Sequence, residues 1–190
     1  MSKSRNRLAE MIERDGDDLL QQWLKELKSN GLGGDSRINE SDLKAQAKEF
    51  VTVLTRAITH ADGTNLSHKE WQPVLELLET ISRARVAQGF SSDQTATFVF
   101  AIKRPLFERV RQEFKSDPAG LADETWNVTS LVDALGMHTV RSYQKTREDV
   151  INRQQHELLE LSTPVVKLWE GVLALPMIGT LDSARTQIVM

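Results

Sequence analysis

The 190-residue chain contains no cysteine. This absence excludes a disulfide framework, a thiolate metal site and a cysteine nucleophile, and it agrees with a reducing compartment. A surplus of basic residues is also missing, because the net charge is -3 and the isoelectric point about 5.8. Since nucleic-acid binding usually needs a basic surface, nucleic acid is not an expected partner.

The sequence also lacks a long hydrophobic run. Its best apolar stretch, residues 172–179, is interrupted by Pro176, whereas a membrane-spanning helix needs about 20 apolar residues. Residues 1–18 carry charges where a signal peptide needs an apolar core. With 39% hydrophobic and 27% charged residues, the composition predicts a globular protein. We expect it to be soluble and cytoplasmic, with no membrane partner.

What the chain does contain is helical periodicity, with apolar residues recurring every three to four positions. Helices are predicted over residues 5–29 (with a possible break at Gly16), 41–61, 71–88, 91–114 and 118–161. Gly31 and Gly89 are the predicted C-terminal caps of the first and third helices. Ser91 begins a capping box, and Pro105 should kink the fourth helix because it frees the carbonyl of Ala101.

The last predicted helix is about 40 residues long, beyond the usual range of globular helices. Between residues 144 and 155 only Val150 and Ile151 are apolar. This composition predicts a connector that pairs weakly with a copy of itself. The heptad-like spacing of one set of residues predicts the dimer seam. These residues are Leu131, Leu135, His138 and Ser142.

Motifs for catalysis or metal binding do not emerge. The four histidines are not at ligand spacing on one helix, the glycine-rich segment at Gly31 lacks the Lys-Ser/Thr of a phosphate loop, and no nucleophile motif is visible. We therefore expect neither an enzyme nor a metal site. Arg85 is unusual because it falls on the core-facing side of its helix. It could extend to solvent or pair with a carboxylate, or it could contact an anion or a partner.

The last 30 residues differ from the rest. They predict two short strands around Glu170 and Gly171, followed by the start of a helix capped by Thr180, Asp182 or Ser183. A phosphate on Ser183 would lie beside the positive end of that helix. Spacing alone favours the simpler interpretation that Ser183 only caps the helix.

The segment "LSTPVVKLWEGVLALPMIGTLDSAR" strongly resembles the start of the STAS domain in RsbR-type proteins, the co-antagonist subunits of bacterial stressosomes. The preceding "SRARVAQGFSSDQTATFVFAIKRPLFERVR" is similar to the N-terminal sensory domain of the same family. The resemblance implies an all-α, globin-like domain over residues 1–143 and a connector (signalling) helix over 144–161. The N-terminal fragment of an α/β STAS domain would follow over 162–190.

The resemblance also implies function. The family's sensory domain dimerises, usually without haem. Its STAS domain assembles with a STAS-only protein and sequesters a switch serine/threonine kinase, which phosphorylates it under stress. Ser183 takes the place of the family's phosphorylated threonine, and Thr180 is the second candidate. A further acceptor of the family would fall beyond Met190.

Two other functions remain open from the sequence. One is a haem- or small-ligand-binding globin-type sensor, possible because a small apolar pocket could lie between the helices of Trp71 and Phe98. Arg85 stands near the position expected for a proximal histidine, and since guanidinium cannot replace imidazole as an iron ligand, we expect no haem and no other cofactor. The second is a purely structural helical dimer. Because an isolated hairpin is marginally stable, we also expect residues after Ser162 to depend on another chain or to lie loosely.

Overall fold

The computed structural model describes residues 2–61, 64–161 and 166–174. The helices are α1 (Ser2–Ser29), α2 (Glu40–His60), a 3-10 turn (Lys69–Trp71), α3 (Gln72–Ala87), α4 (Ser92–Phe100), α5 (Lys103–Glu113) and α6 (Pro118–Leu161); the strands are β1 (Val166–Trp169) and β2 (Val172–Ala174). The chain divides after Arg147 into two units. The described residues of the first unit form helices and loops without a strand, which confirms the all-α class.

The predicted break in α1 occurs one residue before the predicted position. Asp15 has the non-helical angles φ -109° and ψ 15°, and both segments of the helix contribute buried residues. At its end, Gly31 takes a positive φ of 85°. The amides of Gly31 and Leu32 donate to the carbonyls of Lys28 and Leu27, which closes the helix as predicted.

The centre of the core is an aromatic cluster that joins three helices. Trp23 of α1, Phe50 of α2 and Phe98 of α4 are all fully buried, with ring centroids 4.9 to 5.9 Å apart. The indole Nε1 of Trp23 donates to the carbonyl of Phe98 over 3.1 Å, so the buried polar atom is satisfied. Burial of each ring contributes about 2 to 3 kcal/mol, and the cluster fixes how α1, α2 and α4 pack.

The fourth predicted helix forms as two. The capping box at Ser91 is present, because its side chain accepts from the amide of Gln94 and the Gln94 side chain accepts from the Ser91 amide. The helix then ends at Phe100, and α5 begins at Lys103, so that Pro105 lies in the first turn of α5. A proline in a first turn removes no internal hydrogen bond. The predicted kink is therefore a complete break, four residues before the proline.

α6 begins as predicted. Asp117 Oδ1 accepts the amide of Gly120 over 3.0 Å, and Pro118 is the first helical residue. The helix is continuous for 44 residues. Lys103 of α5 holds its first half through a 2.5 Å ion pair with Asp133.

The second unit contains the predicted hairpin. Val166 pairs with Ala174 and Trp169 with Val172, in antiparallel register with an irregularity between Lys167 and Trp169. Gly171 has a φ of 78°, the left-handed conformation that a tight turn needs. Trp169 is 72% exposed. The predicted cap residues Thr180, Asp182 and Ser183 lie outside the described residues.

Candidate functional site

The C-terminal end of α3 carries a buried charge. Arg85 is 1% exposed, which confirms its core-facing position. Its Nη1 donates to Gln88 Oε1 over 3.0 Å and its Nη2 to Gln46 Oε1 over 2.9 Å, while Nε has no hydrogen-bond acceptor. Both acceptors are neutral amides. The first sequence-based interpretation, a side chain that extends to solvent or pairs with a carboxylate, is therefore not observed among the described residues. The second, contact with an anion or a partner, stays a prediction.

The surroundings of Arg85 compensate its charge only weakly. Burial lowers the pKa of the guanidinium to about 10, and the carboxylate of Asp35 opposes the shift. Asp35 itself accepts three hydrogen bonds from Arg37, two from the guanidinium and one from the backbone amide, and mainly for this reason its pKa falls to about 2. Arg37 also lies 3.8 Å from the centre of the Phe90 ring, and Arg85 lies 5.4 Å from it. Two cations thus lie close to one aromatic ring.

The position of Phe90 follows from how α3 ends. Gly89 has a φ of 75°, its amide donates to Val86, and the amide of Phe90 donates to the carbonyl of Arg85. This capping pattern turns the chain back so that Phe90 is buried beside Arg85. Gly89 therefore performs the predicted capping role and also positions the aromatic ring.

The same end of α3 is connected to α6 by polar contacts. The hydroxyl of Tyr143 donates to the carbonyl of Phe90 over 2.6 Å. One turn earlier, Ser82 Oγ lies 3.4 Å from the carbonyl of Thr139, and His138 Nε2 lies 3.5 Å from Glu79. A change in the position of Arg85 can thus be transmitted to α6 through these contacts.

The predicted dimer seam does not form one surface. Leu131 and Leu135 are 5% and 0% exposed because they pack in the chain's own core, so they are not available to a second copy. His138 faces Glu79 of α3, and Ser142 is half-buried. The large apolar side chains that α6 does expose are others. In the first unit they are Trp126 (73%) and Met137 (50%); in the second they are Val150, Ile151 and Leu158.

A polar cleft of about 690 Å³ lies at the kink of α1, with α2 as its other wall. Arg109 of α5 lines it and is nearly buried. Its guanidinium pairs with Asp15 over 3.4 Å and with Asp18 over 2.5 Å, while its Nε has no acceptor. Arg14 adds a 2.9 Å ion pair to Glu113. These pairs hold the kink against α5. Neither Arg109 nor Gln46 was singled out from the sequence, because nothing in the local pattern shows contacts across 91 and 39 residues.

The apolar core between α2 and α6 contains one small void. It lies between Phe50, Leu54, Leu131 and Leu135 and measures about 10 Å³, which is the size of one water molecule. The buried residues of the described core include no histidine, and Arg85 stands near the position expected for a proximal histidine. Among residues 2–61, 64–161 and 166–174, no group of three or more His, Asp or Glu side chains could hold a metal ion.

The described helices also include none that is long and apolar enough to cross a membrane. The two predicted phosphate acceptors, Ser183 and Thr180, lie in the part of the chain that the structure does not describe.

These features define an all-α domain whose last helix exposes large apolar side chains. The chain belongs to the family of the RsbT co-antagonist protein rsbRD N-terminal domain, whose family model matches residues 17–158. This match confirms the RsbR-type resemblance found in the sequence.

Two curated relatives from Bacillus subtilis (strain 168) are similar to the chain. RsbT co-antagonist protein RsbRA is 20% identical over 181 residues, covering 95% of this chain and 62% of the relative. RsbT co-antagonist protein RsbRD is 22% identical over 182 residues, covering 91% of this chain and 63% of the relative. The chain thus spans less than two thirds of the length of either. No solved structure matches it significantly.

Proposed function

We propose that the protein is a stressosome sensor and scaffold subunit that regulates a stress response without catalysing a reaction. The observation that carries this proposal is the family match over residues 17–158, which includes most of the core and most of α6. Both relatives are named as co-antagonists of RsbT. In this role the protein acts in the cytoplasm, with a STAS-only protein and a switch serine/threonine kinase as partners.

In the proposed mechanism the helical domain, which we take to be globin-like without haem, is a dimer with two arrangements. A stimulus shifts the balance between them, and α6 passes the bias to the STAS segment that follows. The hydrogen bonds of Tyr143 to the Phe90 carbonyl and of Ser82 to the Thr139 carbonyl support α6 as the responding element. Since these contacts tie α6 to the end of α3, a movement of either helix displaces the other.

We place the dimer seam on the exposed apolar residues of α6 rather than on Leu131 and Leu135. Along the sequence, Met137, Ile151 and Leu158 are separated by multiples of seven residues, and Trp126 and Val140 share a second such series. Two interleaved series of this kind are the heptad pattern of a coiled coil. A second copy of the chain matches such a row because parallel helices present identical faces to each other.

The seam is tested by the oligomeric state. Trp126→Glu and Met137→Glu each put a carboxylate into the proposed contact. Burying an unpaired charge costs more than about 1.4 kcal/mol, so the dimer dissociation constant should rise at least about tenfold. Sedimentation velocity over a range of protein concentrations measures it. Lys145→Glu, on an exposed position beside the seam, is the control and should leave the dimer intact. Unchanged association in both seam variants would exclude this face.

The regulatory role is tested by phosphorylation. In the proposed function Ser183 accepts phosphate from the switch kinase, with Thr180 as the alternative, and the STAS domain holds the kinase before stress. Kinase incubated with the protein should add phosphate, and Ser183→Ala should remove most of it, while Thr180→Ala should not. If the wild-type protein and Ser183→Ala incorporate equal amounts of phosphate, the assignment of Ser183 is wrong. That result would not bear on the dimer seam, which is tested by the oligomeric state.

A further inference from the structure

The Arg85 guanidinium is an exception to a general rule for buried charges. Buried cations are normally paired with anions, because leaving water is costly unless an opposite charge compensates. Arg85 is 1% exposed, yet it has only two amide oxygens as acceptors and an Nε with none. Asp35, the carboxylate that influences it, is bound to Arg37. The site therefore lacks one negative charge and one hydrogen-bond acceptor.

The shape of the unsatisfied edge shows what kind of group would complete it. Nε and Nη2 form one side of the guanidinium, and carboxylates or phosphates bind such an edge through two parallel hydrogen bonds. Gln46 offers a single oxygen and satisfies only Nη2. An anion with two oxygens in the same place would satisfy both nitrogens.

Access to this edge is provided by Gln46 itself. It lies on α2 and is half-buried, so rotation of its side chain toward solvent opens the edge without moving a helix. Gln88, on the other side of the guanidinium, is exposed. Arg37, which lies 3.8 Å from the centre of the same Phe90 ring, adds positive potential.

We propose that Arg85 anchors a binding site for a small oxyanion, a carboxylate or a phosphate, which replaces the Gln46 amide on the Nε–Nη2 edge. This site is independent of the proposed stressosome role, since it rests only on the contacts of Arg85. The guanidinium lies 5.4 Å from the centre of the Phe90 ring, and the carbonyl of the same residue accepts the hydroxyl of Tyr143.

The test follows the Nε–H signal of Arg85 by ¹⁵N NMR while sodium acetate or sodium phosphate replaces sodium chloride at constant ionic strength. The signal is assigned by its loss in Arg85→Met. We expect a saturable shift with one or both anions, and the responding anion distinguishes carboxylate from phosphate as the preferred class. Ligand linkage also predicts about a 100-fold rise in the folding constant at an anion concentration 100 times the dissociation constant. Arg83→Met, an exposed arginine on the same helix, should respond as the wild type does.

A carboxylate introduced by mutation at the same edge is the most specific control. Gln46→Glu should occupy the edge, raise the unfolding midpoint and abolish the response to both anions. Gln112→Glu adds the same charge at an exposed position of α5 and should leave the response unchanged. The proposal is overturned if neither anion shifts the wild-type signal, or if Gln46→Glu binds the anions as tightly as the wild type.

Discussion

Replacing Arg85 with methionine should stabilise the protein, although the change removes two hydrogen bonds. Burial lowers the pKa of the guanidinium well below its usual range, to about 10. At about 1.4 kcal/mol for each factor of ten in proton affinity, the buried charge costs the folded state about 3 kcal/mol. The hydrogen bonds to Gln46 and Gln88 return about 1 kcal/mol each, and both amides can bind water once Arg85 is gone.

The expected net gain for Arg85→Met is therefore about 1 kcal/mol, since methionine fills a similar volume and keeps the apolar contacts of the arginine stem. For a chain of this size that gain corresponds to a rise of about 2 to 4 °C in Tm. Urea unfolding followed by far-ultraviolet circular dichroism measures it, at one protein concentration and in chloride buffer without oxyanions.

Arg83→Met is the matched control, because Arg83 is exposed and should change the stability by less than about 0.5 kcal/mol. If Arg85→Met instead lowers the free energy of unfolding by more than about 1 kcal/mol, the guanidinium is a stabilising part of the core. The reasoning about an uncompensated charge would then be wrong.

Two further predictions concern local features. Ser91→Ala removes the side-chain half of the capping box with Gln94 and should cost about 1 kcal/mol in urea unfolding; a loss below about 0.3 kcal/mol would show that the cap is redundant. His138 has its pKa lowered mainly by burial, with Glu79 opposing the shift. Because the folded state binds the proton less well than the unfolded state, its contribution to stability is complete above about pH 6.5 and is lost as the pH falls below that value. His138→Gln should flatten this part of the stability profile, and an unchanged slope would rule out His138 as its source.

Much of the helical framework was predictable because it depends on local rules. Gly31 and Gly89 end helices through positive φ, and Ser91 begins one through its side chain. Each signal acts within a few residues, so periodicity and capping chemistry are sufficient. Pro105 shows the limit. The sequence indicated a kink, but whether the helix bends or breaks depends on the packing of Phe98 and Ile102 in the core.

The dimer seam shows a second limit. Heptad spacing alone predicts Leu131 and Leu135 as readily as Trp126 and Met137, because all lie on the same helix. Which face meets the chain's own core depends on where the other helices lie, and the structure buries the two leucines there. The hydrogen bond between Arg85 and Gln46 could not be predicted from the sequence either, since Gln46 is 39 residues away in the chain.

The sequence by itself determined the helical class, the helix ends, the hairpin around Gly171 and the family, because each rests on local patterns or on a continuous stretch of residues. Only the tertiary structure decided which face of α6 is free, which groups surround Arg85 and how α3 contacts α6. These depend on side chains from separate helices meeting in space. The aromatic cluster is an example, because Trp23, Phe50 and Phe98 are far apart in the sequence and pack together from three helices.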